Sequence, residues 1–102
     1  MASRLKLHEE LCAILGSRNV YYKPPESGKM KYPCIRYSKS GVSQLKANDK
    51  QYKATNQYEI VVIDHDPDSD IHDKILAHFQ MCNYNRGYVA DNLYHTNLTL
   101  YY

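Results

Sequence analysis

The sequence predicts an α+β domain: a mainly antiparallel sheet of about four to five strands, with two helices packed on it and a long exposed β-hairpin. Three observations predict it. Apolar residues recur at helical spacing twice, as Leu7, Leu11, Ile14 and Leu15 and again as Ile71, Ile75, Leu76 and Phe79. Strand-forming runs rich in β-branched and aromatic residues cover Tyr58 to Asp64 and Leu93 to Tyr102. Between Ser38 and Gln57 the chain turns polar and lysine-rich, which fits a solvated hairpin better than a core segment. With 102 residues there is room for one domain, 1–102, because a single core typically organises about 100–150 residues.

The first helix is expected over Arg4 to Leu15, capped by Ser3 and ended by Gly16. Asn19-Val20-Tyr21-Tyr22 reads as a short strand, stopped by Lys23-Pro24-Pro25, where two prolines exclude helix and central sheet alike. A loop through Met30 and Lys31 leads to a second strand, Cys34 to Ser38, with Ile35 and Tyr37 on one face and Cys34 and Arg36 on the other. The hairpin follows, with a turn signal at Asn48-Asp49. Connections of this length are commonly functional, so it is the expected interaction arm. Ile60-Val61-Val62-Ile63 is apolar at consecutive positions, which predicts burial on both faces of the sheet, one under helices and the other under a neighbour. Asp68, Ser69 or Asp70 caps the second helix, which is expected to end near Cys82-Asn83. Tyr84-Asn85-Arg86-Gly87-Tyr88 reads as a turn with possible strand, and the last strand places Tyr94, Thr96, Leu98, Leu100 and Tyr102 on one face.

Composition narrows the function classes. The longest apolar stretches, Leu11 to Leu15 and Ile60 to Ile63, fall far short of the roughly 20 residues of a bilayer-spanning helix, so no membrane role is expected. The opening residues lack an apolar h-region, and the three cysteines, Cys12, Cys34 and Cys82, are too few for a disulfide scaffold. Folding in a reducing cytoplasm is therefore expected, with the cysteines as small buried hydrophobes. Eleven tyrosines against one phenylalanine and no tryptophan make tyrosine the feature to explain, and surfaces buried on assembly would explain it. Residues 1–53 hold 11 Lys/Arg against 4 acids, net +7, and residues 54–102 hold 2 against 7, net −5. Such asymmetry points to polyanion binding or to complementary contacts between copies, unless folding intermixes the halves.

No chemical motif is complete. Asp64-His65-Asp66-Pro67-Asp68-Ser69-Asp70 has the alternating acids of a calcium loop, but Ser69 stands where the loop needs glycine and Ile75 where it needs glutamate. An Asp-Pro turn followed by acids at a helix N-terminus accounts for it. His8/Cys12 and His78/Cys82 are i,i+4 pairs that could form a zinc site only if two helices met there, and surface or packing roles are commoner. Cys34 has no local activating signature, and the glycines at 16, 28, 41 and 87 stand alone, without a phosphate loop. No catalytic, cofactor or metal residue is therefore assigned, and no enzyme is expected. Lys39, Lys46, Lys50 and Lys53 around Tyr52 could bind single-stranded nucleic acid, although lysines on a hairpin ordinarily keep it soluble and protect its edges.

The chain resembles the small tail terminator (tail completion) and head-tail joining proteins of the neck of long-tailed bacteriophages and prophages. The likeness runs almost end to end. It is carried by the N-terminal amphipathic helix, Val20-Tyr21-Tyr22-Lys23-Pro24-Pro25, Met30-Lys31-Tyr32-Pro33-Cys34-Ile35-Arg36-Tyr37 and Ala47-Asn48-Asp49-Lys50-Gln51-Tyr52. It continues in Tyr58-Glu59-Ile60-Val61-Val62-Ile63-Asp64 and in the stretch from Asp91 to Tyr101. The resemblance implies a structural virion protein, assembled in the host cytoplasm, that forms a homo-oligomeric ring, usually a hexamer. Such a ring terminates the tail tube and joins it to the head through a connector or stopper protein, and DNA passes through it without sequence-specific binding. A stopper or adaptor station in the same neck is the alternative within this reading. A ring needs one patch meeting a different patch on the next copy. From composition, Lys39, Lys46, Asn48, Asp49, Lys50, Tyr52 and Lys53 are the candidate subunit or partner interface.

Overall fold

The computed structural model describes residues 4–23, 31–47 and 50–102, with the backbone alone for 42–47 and 50–55. The chain order is α1 (Arg4–Leu15), β1 (Val20–Tyr22), β2 (Cys34–Ala47), β3 (Lys50–Asp64), α2 (Ile71–His78), β4 (Cys82–Ala90) and β5 (Leu93–Tyr101). These strands form one five-stranded sheet in the order β1-β2-β3-β5-β4, with β1 parallel to β2 and the other pairs antiparallel. The α+β architecture expected from the sequence is the one observed.

Period-two alternation sorts the sheet's side chains onto two faces. Ile35, Tyr37, Tyr58, Ile60, Val62, Leu98 and Leu100 join Leu7, Leu11 and Cys12 of α1 and Ile71 and Ile75 of α2 in the larger core. Cys34, Val61, Ile63 and Leu93 form a smaller cluster on the opposite face, with Tyr21 and Tyr32 packed against it. Both faces of β3 are thus buried along its Ile-Val-Val-Ile centre, as its apolar run predicts, and the helices cover one of them.

α1 matches its predicted bounds and ends at Gly16, which has φ +81° and donates its N–H to Cys12 O at 2.9 Å. A left-handed residue closing the last turn is the usual role of glycine there; the cap expected from Ser3 lies outside the described residues. α2 is shorter than expected. Its helical apolar spacing runs on to Phe79, but Phe79 is already extended (φ −102°, ψ 135°) while its ring remains in the core, and Cys82 begins β4. Tertiary burial, not helix, continued the period. At its start, Asp70 makes no side-chain cap bond, and Ser69 Oγ accepts from Ile71 N at 3.5 Å.

The 84–88 stretch, read as a turn with possible strand, is strand throughout and forms the middle of β4. Two turn-prone asparagines, an arginine and a glycine hide the strand because β4 is an edge strand, most of it exposed, that needs no apolar face of its own. A register shift between Tyr84 and Arg86 leaves Asn85 as a bulge. The actual hairpin turn is Asp91-Asn92, both at positive φ (53° and 62°), the conformation of a two-residue type I′ connection. Between β2 and β3 the ladder runs from Cys34↔Ile63 to Ala47↔Lys50. The turn expected at Asn48-Asp49, and the side chains by which the exposure of this hairpin would be judged, lie outside the described residues. Among the described residues no helix is long and apolar enough to cross a membrane.

Candidate functional site

β3 sets the polarity of the molecule. Lys50 begins it and Asp64 ends it, and fifteen residues at about 3.3 Å each reach close to 50 Å, the longest extent of the protein. Lys46, Lys50 and Lys53 therefore belong to one end of β3 and the aspartate-bearing segment 64–73 follows its other end, while Lys39, paired with Tyr58, lies at mid-strand.

Of the predicted interface residues, Lys39 is exposed. Lys46, Lys50 and Lys53 share one ladder, in which Lys46 pairs with Gln51, Ala47 with Lys50 and Leu45 with Lys53. Tyr52 falls at the register shift between the last of these pairs and Lys46↔Gln51. The side chains of these four residues, and Asn48 and Asp49 altogether, lie outside the described residues.

At the other end the sheet carries an aromatic groove that sequence reasoning missed. Pro67 and His72 from the α2 side face Tyr84, Val89, Tyr94 and Thr96 from β4 and β5 across a volume of about 330 Å³. Register explains the grouping, since Tyr84↔Leu98, Gly87↔Thr96 and Val89↔Tyr94 put these side chains on the helix-bearing face at the margin of the core. Gly87 makes room for Tyr84, because a Cβ there would lie 2.9 Å from the Tyr84 hydroxyl. The His72 and Tyr84 rings tilt at 55° with centroids 6.2 Å apart. Tyr84 and Val89 are 53% and 62% exposed, so the groove is open. On the reverse face Tyr88 stacks on His95 at 4.7 Å and 14°, with the Arg86 guanidinium 5.1 Å from the Tyr88 ring. The signal available in the sequence was the tyrosine excess itself, at Tyr84, Tyr88 and Tyr94.

The acidic run forms a turn. Asp64 Oδ1 accepts from Asp66 N at 3.1 Å and Asp66 Oδ1 from Asp68 N at 2.9 Å, side-chain turns of the kind an Asp-Pro segment favours. The two His/Cys pairs do not converge. His8 Nδ1 is 2.8 Å from the buried Tyr37 hydroxyl, which also accepts from Arg4 Nη1 at 3.3 Å. His78 Nε2 meets Glu10 Oε1 at 3.2 Å, and Cys82 is on β4 and not on the helix of His78. Among the described residues no group of three His, Cys, Asp or Glu side chains is placed to hold a metal. Burial pushes the Cys34 thiol up to about 11, which keeps it protonated at neutral pH and poorly nucleophilic. All three cysteines are free. Comparison with protein-family models, with curated proteins and with solved structures gives no match.

Proposed function

We propose that this protein is a ring-forming structural subunit of the neck of a long-tailed phage, one that terminates the tail tube and meets the head connector or stopper. The role is one of assembly, without chemistry or a cofactor, in a virion put together in the host cytoplasm. One observation carries most weight: an elongated subunit presents a lysine-rich strand end at one extremity and an open aromatic groove at the other. Two unlike surfaces on opposite ends of a subunit suit head-to-tail contact, which closes into a ring when the rotation per subunit allows it. The sequence resemblance described above supplies the biological setting, and a hexamer is the stoichiometry it implies.

Negative-stain imaging of the full chain added to isolated phage tails tests the reading. Ring-shaped density at one end of the tail tube is expected. Monomers alone, with bare tube ends, would overturn it. Binding to oligonucleotides that weakens steeply with salt would instead favour a nucleic-acid module built on Lys39 to Lys53.

A further inference from the structure

We propose that the groove between α2 and β4, together with the free backbone edge of β4, receives the lysine-bearing ends of β2 and β3 from a neighbouring copy of this chain. The proposal rests on the ring-subunit reading and names the surfaces that meet. Among the described residues β4 is paired to β5 on one side only, so its outer edge offers an open row of backbone donors and acceptors, the template on which a further strand adds. Among the described residues, five of the six exposed large apolar side chains, Met81, Tyr84, Tyr88, Val89 and Tyr94, belong to β4, β5 or the residue before β4, the sixth being Leu5 of α1.

The charge around the groove selects its occupant. Pro67, which lines it, is flanked by Asp66 and Asp68, and His72, which also lines it, has Nε2 3.4 Å from Asp73 Oδ1. Segment 64–74 holds five aspartates against one lysine, Lys74, whose Nζ lies 3.8 Å from Asp70 Oδ1, whereas segment 45–53 at the strand end holds three lysines and one acid. Arg86, the cation of β4, is turned onto the Tyr88 ring. An acidic rim around an aromatic floor repels a phosphate backbone and suits a basic strand. Within one chain that strand cannot reach the groove, because the 15-residue β3 holds the two ends apart. The occupant is therefore the strand end of a second copy, and the contact is heterologous, each subunit giving one surface and receiving the other.

Sedimentation velocity on the full chain tests this with two sets of variants. Val89→Lys places a like charge in the groove at an exposed position, with Tyr84→Ser as a second groove variant, and Lys50→Glu with Lys53→Glu reverses the strand end. Circular dichroism checks that each is folded. Each set is expected to weaken self-association by about tenfold or more. An equimolar mixture of the Tyr84→Ser variant and the strand-end variant is expected to recover heterodimers, because the mixed pair retains one intact copy of each surface, but no larger assembly. Wild-type association that survives both sets removes this surface while leaving the ring reading in place. A wild-type chain that stays monomeric to about 1 mM and leaves tail tubes bare removes the ring reading as well.

Discussion

Tyr102 joins both helices to the sheet by donating its phenolic O–H to Glu10 Oε2, while Glu10 Oε1 lies 3.2 Å from His78 Nε2. The Tyr102 bond holds the Glu10 carboxyl below its ordinary range, and the nearby His78 adds to this. Burial, with the bond to Glu10, pushes the Tyr102 phenol up to about 12 from its ordinary 10.0. The signs follow from linkage. A lowered carboxylate contributes stability above its unfolded value near 4.5, and that stability is lost as pH falls through the folded value. A raised phenol contributes stability below 10.0 that is lost as pH rises toward about 12. Tyr102→Phe is therefore expected to cost about 1 kcal/mol between these limits, the bond to a charged group being discounted for partial exposure. Urea denaturation across pH checks it, with the gap between variant and wild type closing in acid. None of this network was legible in the sequence, since Glu10, His78 and Tyr102 are far apart along the chain and each alone reads as an ordinary surface or strand residue.

Helix α1 and strand β3 were legible because each carries its own instruction: Leu7 and Leu11 at helical spacing before Gly16, and Ile60 to Ile63 without a polar break. Gly16 has open space where a Cβ would stand, so Gly16→Ala tests backbone strain alone, and its φ of +81° sets an expected loss of about 1 kcal/mol by thermal denaturation. Ile75 of α2 is fully buried between the helix and the sheet, and Ile75→Ala is expected to cost about 3 kcal/mol in the same measurement. β4 was legible only as a turn with possible strand, because an exposed edge strand is under no demand for alternation, and Asn83, Asn85 and Gly87 are as compatible with a turn as with a strand. The aromatic groove was lost with it, because Tyr84 and Val89 acquire their neighbours only through pairing with β5. The end of α2 was misjudged for the opposite reason, Phe79 being buried at helical spacing without being helical.

A Cα radius of gyration of 14.6 Å exceeds the roughly 13 Å of a compact domain of about 100 residues, in keeping with a long axis of 50 Å against 25 and 22 Å. Opposite charge at the two ends of that axis makes head-to-tail association sensitive to ionic strength. If the proposed contact forms, the dissociation constant is expected to rise by about tenfold or more between about 50 and 500 mM salt in sedimentation equilibrium, as the Debye length shortens. An association held by the aromatic groove alone would stay level or tighten. The charge asymmetry between the halves was countable from the sequence; the placement of Lys46, Lys50 and Lys53 at one end of β3 and of Asp64 at the other was not, because only pairing fixes it, and pairing also mixes the halves elsewhere, as where Arg36 lies beside Val61 and lines one pocket with Glu59.

The strand order has a consequence for how the protein is made. β5 lies between β3 and β4, so β4, synthesised earlier, has no sheet partner until β5 has left the ribosome, at roughly 5–20 residues per second. Until then the nascent chain carries an unpaired edge on β3 as well. A chain ended after Asp91 keeps this half-built condition permanently, and it is expected to bind a hydrophobic dye and lose amide-exchange protection across β3 and β4, while the chain continued to Tyr102 binds no dye and keeps that protection in both strands. The last strand is thus a keystone: translation delivers the flanking pieces first, and the sheet locks when it drops between them.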